Sequence, residues 1–373
     1  MAGPARPGSS CPAGLPDFPW DRLEPARAVA AGHPGGLVDL SVGTPVDPVP
    51  PAIRAALAGA ADSPGYPLTA GTPALRSAIT DWVSRSCGAA PGFGVLPTIG
   101  SKELVAWLPT LLGLGPGDTV VIPEVCYPTY EVGARLAGAQ VVRSDTPAAL
   151  EPAALGPAPV RLVWVNSPGN PTGAVASAAQ LRAVVQWARG RGAVVASDEC
   201  YLSLPYEAEP VSVLSVCGPS SEGVLAVHSL SKRSNLAGYR AGFVAGDPGI
   251  ISALLDVRRH AGMMVPAPVQ AGMVVALADE THVADQRERY GRRREILRAA
   301  LTAAGFTIEH STAGLYLWCT RDEVCWSTVD WFAARGILVA PGEFYGPSGA
   351  RHIRVALTAP DDRVAAAAER LSG

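Results

Sequence analysis

Apolar positions along the chain fall into short runs rather than long ones. Thr119-Val120-Val121-Ile122, Gln140-Val141-Val142, Arg161-Leu162-Val163-Trp164-Val165, Ala193-Val194-Val195-Ala196 and Val224-Leu225-Ala226-Val227 each have the length of a buried strand. Between them lie stretches with helical spacing, from Gly100 to about Leu112, Thr129 to Ala137 and Ala178 to Arg191. This β-α-β rhythm predicts an α/β fold with a mostly parallel sheet covered by helices on both faces. After Gly246-Asp247-Pro248 a long helical region is predicted to about Ala278, and another from Glu280 to Ala304. Thr307-Ile308, Gly314 to Trp318 and His352 to Leu357 then read as strands of a second, smaller layer. At the other end, residues 1–14 are rich in Pro, Gly and Ser and are expected to be disordered. Leu15 to Trp20 forms an extended arm carrying Phe18 and Trp20, followed by a helix from Asp21 to about Ala31. Leu37 to Pro45 reads as a strand ending at Gly43.

Composition narrows the class. With 48% hydrophobic and 17% charged residues in 373, the chain reads as a compact globule with room for two domains. A net charge of −3 gives no general attraction to nucleic acid or to an anionic membrane, and no apolar run has the length of a spanning helix. Seven cysteines without a CxxC pair fit reduced thiols, and with no leader-like apolar core the expected location is the cytoplasm. The six histidines show no HExxH or paired spacing, so no metal site is expected. No GxGxxG follows the first strand, which excludes the usual dinucleotide reading.

Ligands of open parallel sheets lie beyond the carboxyl ends of the strands. The polar clusters of this chain fall at those ends: Gly100-Ser101-Lys102, Tyr127, Asn166 to Gly173, Ser197-Asp198-Glu199-x-Tyr201 and Ser229 to Lys232. Lysine is almost absent, with only Lys102 and Lys232 beside many arginines. An arginine serves for a surface pair or a phosphate, but only an ε-amine can be tuned to lose its proton and form an imine with a carbonyl. Lys232 has Ser229 and Ser231 before it and Arg240 eight residues on, a setting suited to a phosphorylated carbonyl cofactor. Gly100 and Ser101 open a helix, whose free N–H groups favour phosphate.

Ser229-x-Ser231-Lys232-(seven residues)-Arg240-x-Gly242, with Asn166-x-Pro-x-Asn170-Pro-Thr-Gly173, Asp198-Glu-x-Tyr201 and Ile353-Arg354-Val-Ala-Leu357, resembles the class I/II aminotransferases of fold type I. The resemblance runs from about Leu15 onward. It implies a large cofactor-binding domain (46–260), with a mostly parallel seven-stranded sheet between helices. It also implies a smaller α+β domain (261–373), with residues 15–45 as an arm and part of that small domain. The implied cofactor is pyridoxal 5'-phosphate. Lys232 would form the Schiff base and then act as the base that shifts the proton, and Asp198 would hold a proton on the pyridine nitrogen. Asn170 and Tyr201 would reach the phenolic oxygen, and Tyr127 would stack on the ring. Ser101, Lys102, Ser229 and Arg240 would hold the phosphate. Arg354 would take the substrate α-carboxylate with Gly43 and Asn170 beside it, and Tyr66 would reach the phosphate of the other subunit in a homodimer with shared sites.

Leu15 to Trp20, Asp39 to Pro48, Gly262 to Gln270 and Ala340 to Gly346 resemble the actinobacterial N-succinyldiaminopimelate aminotransferases of lysine biosynthesis. The implied reaction exchanges N-succinyl-LL-2,6-diaminopimelate and 2-oxoglutarate for N-succinyl-2-amino-6-oxopimelate and glutamate by ping-pong transamination. Arg233 and the Phe18–Trp20 arm are candidates for the distal substrate end. The alternatives are an aspartate- or aromatic-specific aminotransferase, a lyase on the same scaffold, and a non-catalytic regulator. The regulator reading lacks a basic stripe or a preceding DNA-binding segment.

Overall fold

The computed structural model describes Leu15 and residues 18–372. The disorder expected for residues 1–14 lies outside the described residues. Among the described residues there are thirteen strands: β1 (Val38–Asp39), β2 (Gly94–Ile99), β3 (Thr119–Ile122), β4 (Gln140–Arg143), β5 (Val160–Asn166), β6 (Val194–Asp198), β7 (Val224–Ser229), β8 (Ala241–Gly246), β9 (Thr307–Glu309), β10 (Tyr316–Thr320), β11 (Ile337–Leu338), β12 (Ala340–Pro341) and β13 (Ile353–Ala356).

Seven of them form one sheet in the order β2-β8-β7-β6-β5-β3-β4. All neighbours pair parallel except β8, which runs antiparallel to both β2 and β7. Its strands are apolar at successive positions because both faces are covered. Leu162, Trp164, Ala196, Leu225 and Val227 face one side, against Leu104, Leu108 and Tyr130. Val163, Val195, Ala226 and Phe243 face the other, against Ile79, Trp82 and Met273. The smaller antiparallel sheet β12-β13-β10-β9 builds a separate core with Leu297, Phe332 and the N-terminal helix residues Leu23, Ala26 and Ala30.

Register brings the site together. Asn166 at the end of β5 pairs with Asp198 at the end of β6, Asp198 pairs with Val227, and Ser229 pairs with Gly242 of β8. Three strand ends thus place Asn166, Asp198 and Ser229 on one rim.

Two sequence expectations change in the structure. The helical region after Pro248 is two helices, Pro248–Ala261 and Ala267–Ala278. Gly262 caps the first in the left-handed region at φ 70°, and Pro266 precedes the second, so a continuous helix cannot form. The second of these helices packs into the large-sheet core through Met273, Ala276 and Leu277. The strand expected over Leu37–Pro45 pairs only at Val38 and Asp39, with Ile337 and Leu338. Beyond Asp39, Leu40 still accepts from Ala356 N, but the carbonyls of Ser41 and Gly43 are taken by the side chains of Arg354 and Lys232.

Candidate active site

A cleft of about 1680 Å³ opens at the carboxyl ends of β5, β6 and β7, between the two sheets. Ser101, Lys102, Tyr127, Asn170, Asp198, Tyr201, Ser229, Lys232, Arg240, Arg354 and Gly43 all line it. The fold therefore gathers every sequence-predicted site residue except Tyr66 and Arg233. That tyrosine is 97% exposed and lies away from the cleft of its own chain.

Lys232 sits on a one-turn helix, Leu230–Arg233, capped by Ser229 through Ser231 N. Its ammonium donates to the carbonyl of Gly43. Burial lowers its pKa to about 8, assisted by the charges of Arg354 and Arg240. An amine so placed is neutral over part of the physiological range, as a nucleophile requires.

Asp198 is buried. Its Oδ2 accepts from the Tyr130 hydroxyl at 2.8 Å, and its Oδ1 accepts from Cys200 N at 3.2 Å. Burial raises its carboxyl above the ordinary range, against those hydrogen bonds. Asn166 fixes the adjoining loop by donating to the Asp198 carbonyl at 2.9 Å and accepting from Asn170 N at 2.7 Å. Tyr127 is half-buried, and the burial of its hydroxyl pushes it up to about 12, so it stays neutral.

On the other wall, Arg354 of β13 is 3% exposed and has no carboxylate partner among the described residues. Its guanidinium donates to Asn170 Oδ1 at 2.9 Å and to the Ser41 carbonyl at 2.6 Å, and Nε has no partner. Tyr316 lies 4.0 Å from it as a cation–π contact, and the Tyr316 hydroxyl meets that of Tyr201 at 3.1 Å. A buried cation without an anion is costly unless a ligand supplies one.

The helix Gly100–Leu111 opens toward the cleft. Gly100 has φ 70°, and a Cβ there would run into the Arg240 guanidinium. A Cβ on Gly242 would lie 3.0 Å from the backbone of Gly100 and Ser101. Both glycines therefore let β8 and the helix start approach closely, leaving Ser101 N–H and Arg240 at one corner. Lys102 stands beside them, 5.8 Å from the Phe18 ring, with its pKa lowered by burial and then by Arg240.

Arg233 corrects an expectation. It turns away from the cleft into the core, pairs with Glu280 at 2.8 Å and lies over Trp82 at 4.9 Å. On a one-turn helix, adjacent residues point to different sides, so Lys232 and Arg233 cannot share a site. The arm does reach the cleft: Trp20 packs on Phe344 with ring centres 5.5 Å apart. Missed by the sequence reading were Tyr130, Tyr316 and Cys200. Tyr130 follows Tyr127 by three residues, the spacing of neighbours on a helix, which was its available signal.

The donor set fits pyridoxal phosphate. It supplies a depressed amine, a buried carboxylate held by two donors, and a helix N-terminus beside an arginine in a cradle that a Cβ on Gly100 would fill.

Comparison with known proteins agrees with this donor set. The family model described as aminotransferase class I and II matches residues 36–371. The probable aminotransferase Rv1178 of Mycobacterium tuberculosis is 60% identical, covering 100% of this chain and 88% of the relative. The 4-dedimethylamino-4-oxo-anhydrotetracycline transaminase OxyQ of Streptomyces rimosus is 57% identical, covering 96% of this chain and 99% of the relative. Among solved structures, a probable N-succinyldiaminopimelate aminotransferase from Thermus thermophilus superposes with a TM-score of 0.85 at 29% identity, covering 95% of this chain and 99% of that one.

Proposed function

The chain belongs to the class I and II aminotransferases, and we propose that its substrate pair is N-succinyl-LL-2,6-diaminopimelate and 2-oxoglutarate, in diaminopimelate and lysine biosynthesis. Enzymes of this family use pyridoxal 5'-phosphate, which supplies a carbonyl for the amino group and an electron sink for the charge left at Cα.

The observation that carries the substrate reading is the buried, unneutralised Arg354 in a cleft rich in further arginines. Arg22, Arg27, Arg135 and Arg143 also line the cleft, paired with Glu343, with Asp39 and, for the last two, with Glu131, so these arginines outnumber their carboxylates by one. Such an excess of cations suits a donor with several carboxylates better than aspartate, whose two carboxylates need fewer partners.

In this reading Arg354 holds the α-carboxylate through both Nη atoms, with Asn170 and the Gly43 backbone beside it. Lys232 Nζ would take and hold the proton from the substrate Cα. Asp198 keeps a proton on the ring nitrogen, and Tyr130 holds Asp198 in place. Asn170 and Tyr201 donate to the phenolic oxygen, and Tyr127 packs against the ring. Ser101 N–H, Lys102, Ser229, Ser231 and Arg240 hold the phosphate. Tyr66, exposed in its own chain, completes the phosphate site of a partner subunit in a homodimer.

A second reading is favoured by the 57% identity to a transaminase named for a tetracycline ketone, together with the aromatic wall of Phe18, Trp20 and Phe344. In that reading the cleft takes a bulky polycyclic ketone, and the aromatic wall packs on its rings. One experiment separates them: glutamate formation from 2-oxoglutarate with N-succinyl-LL-diaminopimelate, unmodified diaminopimelate or aspartate as donor, beside amino transfer to 4-oxo-anhydrotetracycline substrates. A kcat/KM highest for the succinylated donor supports the first reading. A higher value for any of the others replaces it.

A further inference from the structure

Asp198 and Ser229 face the cleft, so the residues next to them in their strands face the other side of the sheet. There Glu199 and His228 meet Cys87, the last residue of the helix Pro73–Cys87. All three are buried, with Cys87 at 3%, Glu199 at 2% and His228 at 2% exposure. Cys87 Sγ lies 3.6 Å from His228 Nε2, and His228 Nε2 lies 3.7 Å from Glu199 Oε2. The three candidate ligand atoms lie within 4.8 Å of one another.

The two separations from His228 Nε2 are close to the edges of a coordination tetrahedron. With Zn–S near 2.3 Å and Zn–N or Zn–O near 2.0–2.1 Å, tetrahedral angles put S and N about 3.6 Å apart, and N and O about 3.4 Å apart. The set Cys, His and carboxylate is also the chemistry that such an ion selects.

A second observation points the same way. Glu199 Oε1 accepts from Val213 N at 2.7 Å, but Oε2, buried and aimed at the imidazole, has no hydrogen-bond partner. The Ser212 hydroxyl lies beside both Glu199 and Cys87, and the Ser197 hydroxyl beside Glu199, so an oxygen is available for a fourth position. The imidazole is fixed from behind: it has a backbone hydrogen bond with Glu199, and the Trp82 and Phe243 rings lie 5.0 Å from it. Metal-bound histidines are commonly oriented in this manner.

We infer that Cys87, Glu199 and His228 form a buried tetrahedral site for a zinc-class divalent cation, behind the strand ends that carry the catalytic groups. Charge balances there. A thiolate and a carboxylate neutralise a divalent ion with a neutral imidazole, while the nearby Arg233 pairs with Glu280 through Nη2 and leaves Nε and Nη1 without a partner. Without an ion, burial disfavours every charged form, raising the Cys87 thiol and lowering His228 to about 3. Binding expels the thiol proton, and any proton on Glu199, to solvent with no change of oxidation state. The six histidines showed no metal spacing in sequence because the ligands come from three separate elements.

The test is to produce the cofactor-loaded enzyme in medium supplemented with Co²⁺, and in parallel to refold it with Co²⁺ or Zn²⁺, then to dialyse against metal-free buffer. The expected result is about one ion per chain, with the thiolate-to-cobalt charge-transfer absorption and tetrahedral ligand-field bands. Cys87→Ser and His228→Ala are expected to lower retained metal at least tenfold at unchanged pyridoxal phosphate content. Retention of metal by those variants would place the ion elsewhere on the protein and overturn the inference. So would a folded, cofactor-loaded wild type that is metal-free after both routes, a result that stands even if the variants fail to fold.

Discussion

The hydroxyl of Tyr130 donates to Oδ2 of Asp198 at 2.8 Å, and both groups are buried. Tyr130 is held from its other face by Trp164, stacked at 4.8 Å with 22° between the rings. Its phenol therefore presents one fixed donor to a carboxylate that burial would otherwise drive toward its neutral form. An ionised Asp198 is what a protonated ring nitrogen requires.

Tyr130→Phe keeps the ring, the stack and the fold but removes that donor. A hydrogen bond to a charged group contributes about 1.5–3 kcal/mol, so kcat and cofactor affinity are each expected to fall roughly 10- to 100-fold. Equilibrium dialysis with pyridoxal phosphate measures the affinity without turnover. A variant unchanged in both would mean that Cys200 N alone suffices to hold Asp198.

Arg354→Lys tests the unneutralised guanidinium. Lysine keeps the charge but loses the forked donors that now reach Asn170 and Ser41, and it leaves Asn170 Oδ1 without a partner. The expected loss in kcat/KM for any amino-acid donor is about 100-fold, mostly in KM, with cofactor content unchanged. An unchanged KM would remove Arg354 from carboxylate binding.

Lys232 gives the pH dependence its sign. Its pKa is lowered from 10.5 to about 8 by burial, so the neutral amine becomes abundant near pH 8 rather than above pH 10. Capture of pyridoxal phosphate by cofactor-free enzyme is expected to quicken about tenfold per pH unit below pH 8 and to level off above it. Stopped-flow absorbance follows it. A rate still rising steeply at pH 10 would show an ordinary lysine. The same depression means the unfolded chain binds more protons between pH 8 and 10.5, so this group adds stability to the cofactor-free protein as pH rises through that window.

What the sequence disclosed was what is local to a strand end. Asp198, Asn170 and the Ser229–Arg240 segment were legible because each sits in a short motif just past an apolar run. Arg354 was legible from its motif, but its missing counter-ion depends on β13 meeting the 41–43 segment from the far end of the chain. Arg233 was misread because adjacency in sequence says nothing about direction on a single helical turn. Gly262 and Pro266 did carry the signal for two helices, in a run apolar enough to read as one. Cys87, Glu199 and His228 lie on three elements, and only the sheet's second face unites them.

Gly100→Ala tests the phosphate corner. Gly100 has φ 70°, a left-handed conformation that costs an alanine about 1–2 kcal/mol, and the added Cβ overlaps the Arg240 guanidinium. Two effects separate. The backbone cost lowers the melting temperature of cofactor-free and loaded protein alike. In the proposed phosphate site, displacement of Arg240 acts only on the loaded form, because only there would the guanidinium meet phosphate. The loaded protein is therefore expected to lose more melting temperature than the cofactor-free one, with pyridoxal phosphate held at least tenfold more weakly. Affinity for pyridoxal, which lacks the phosphate, should change little. Equal losses in both forms would mean that Gly100 serves only the turn, and that Arg240 keeps its place without it.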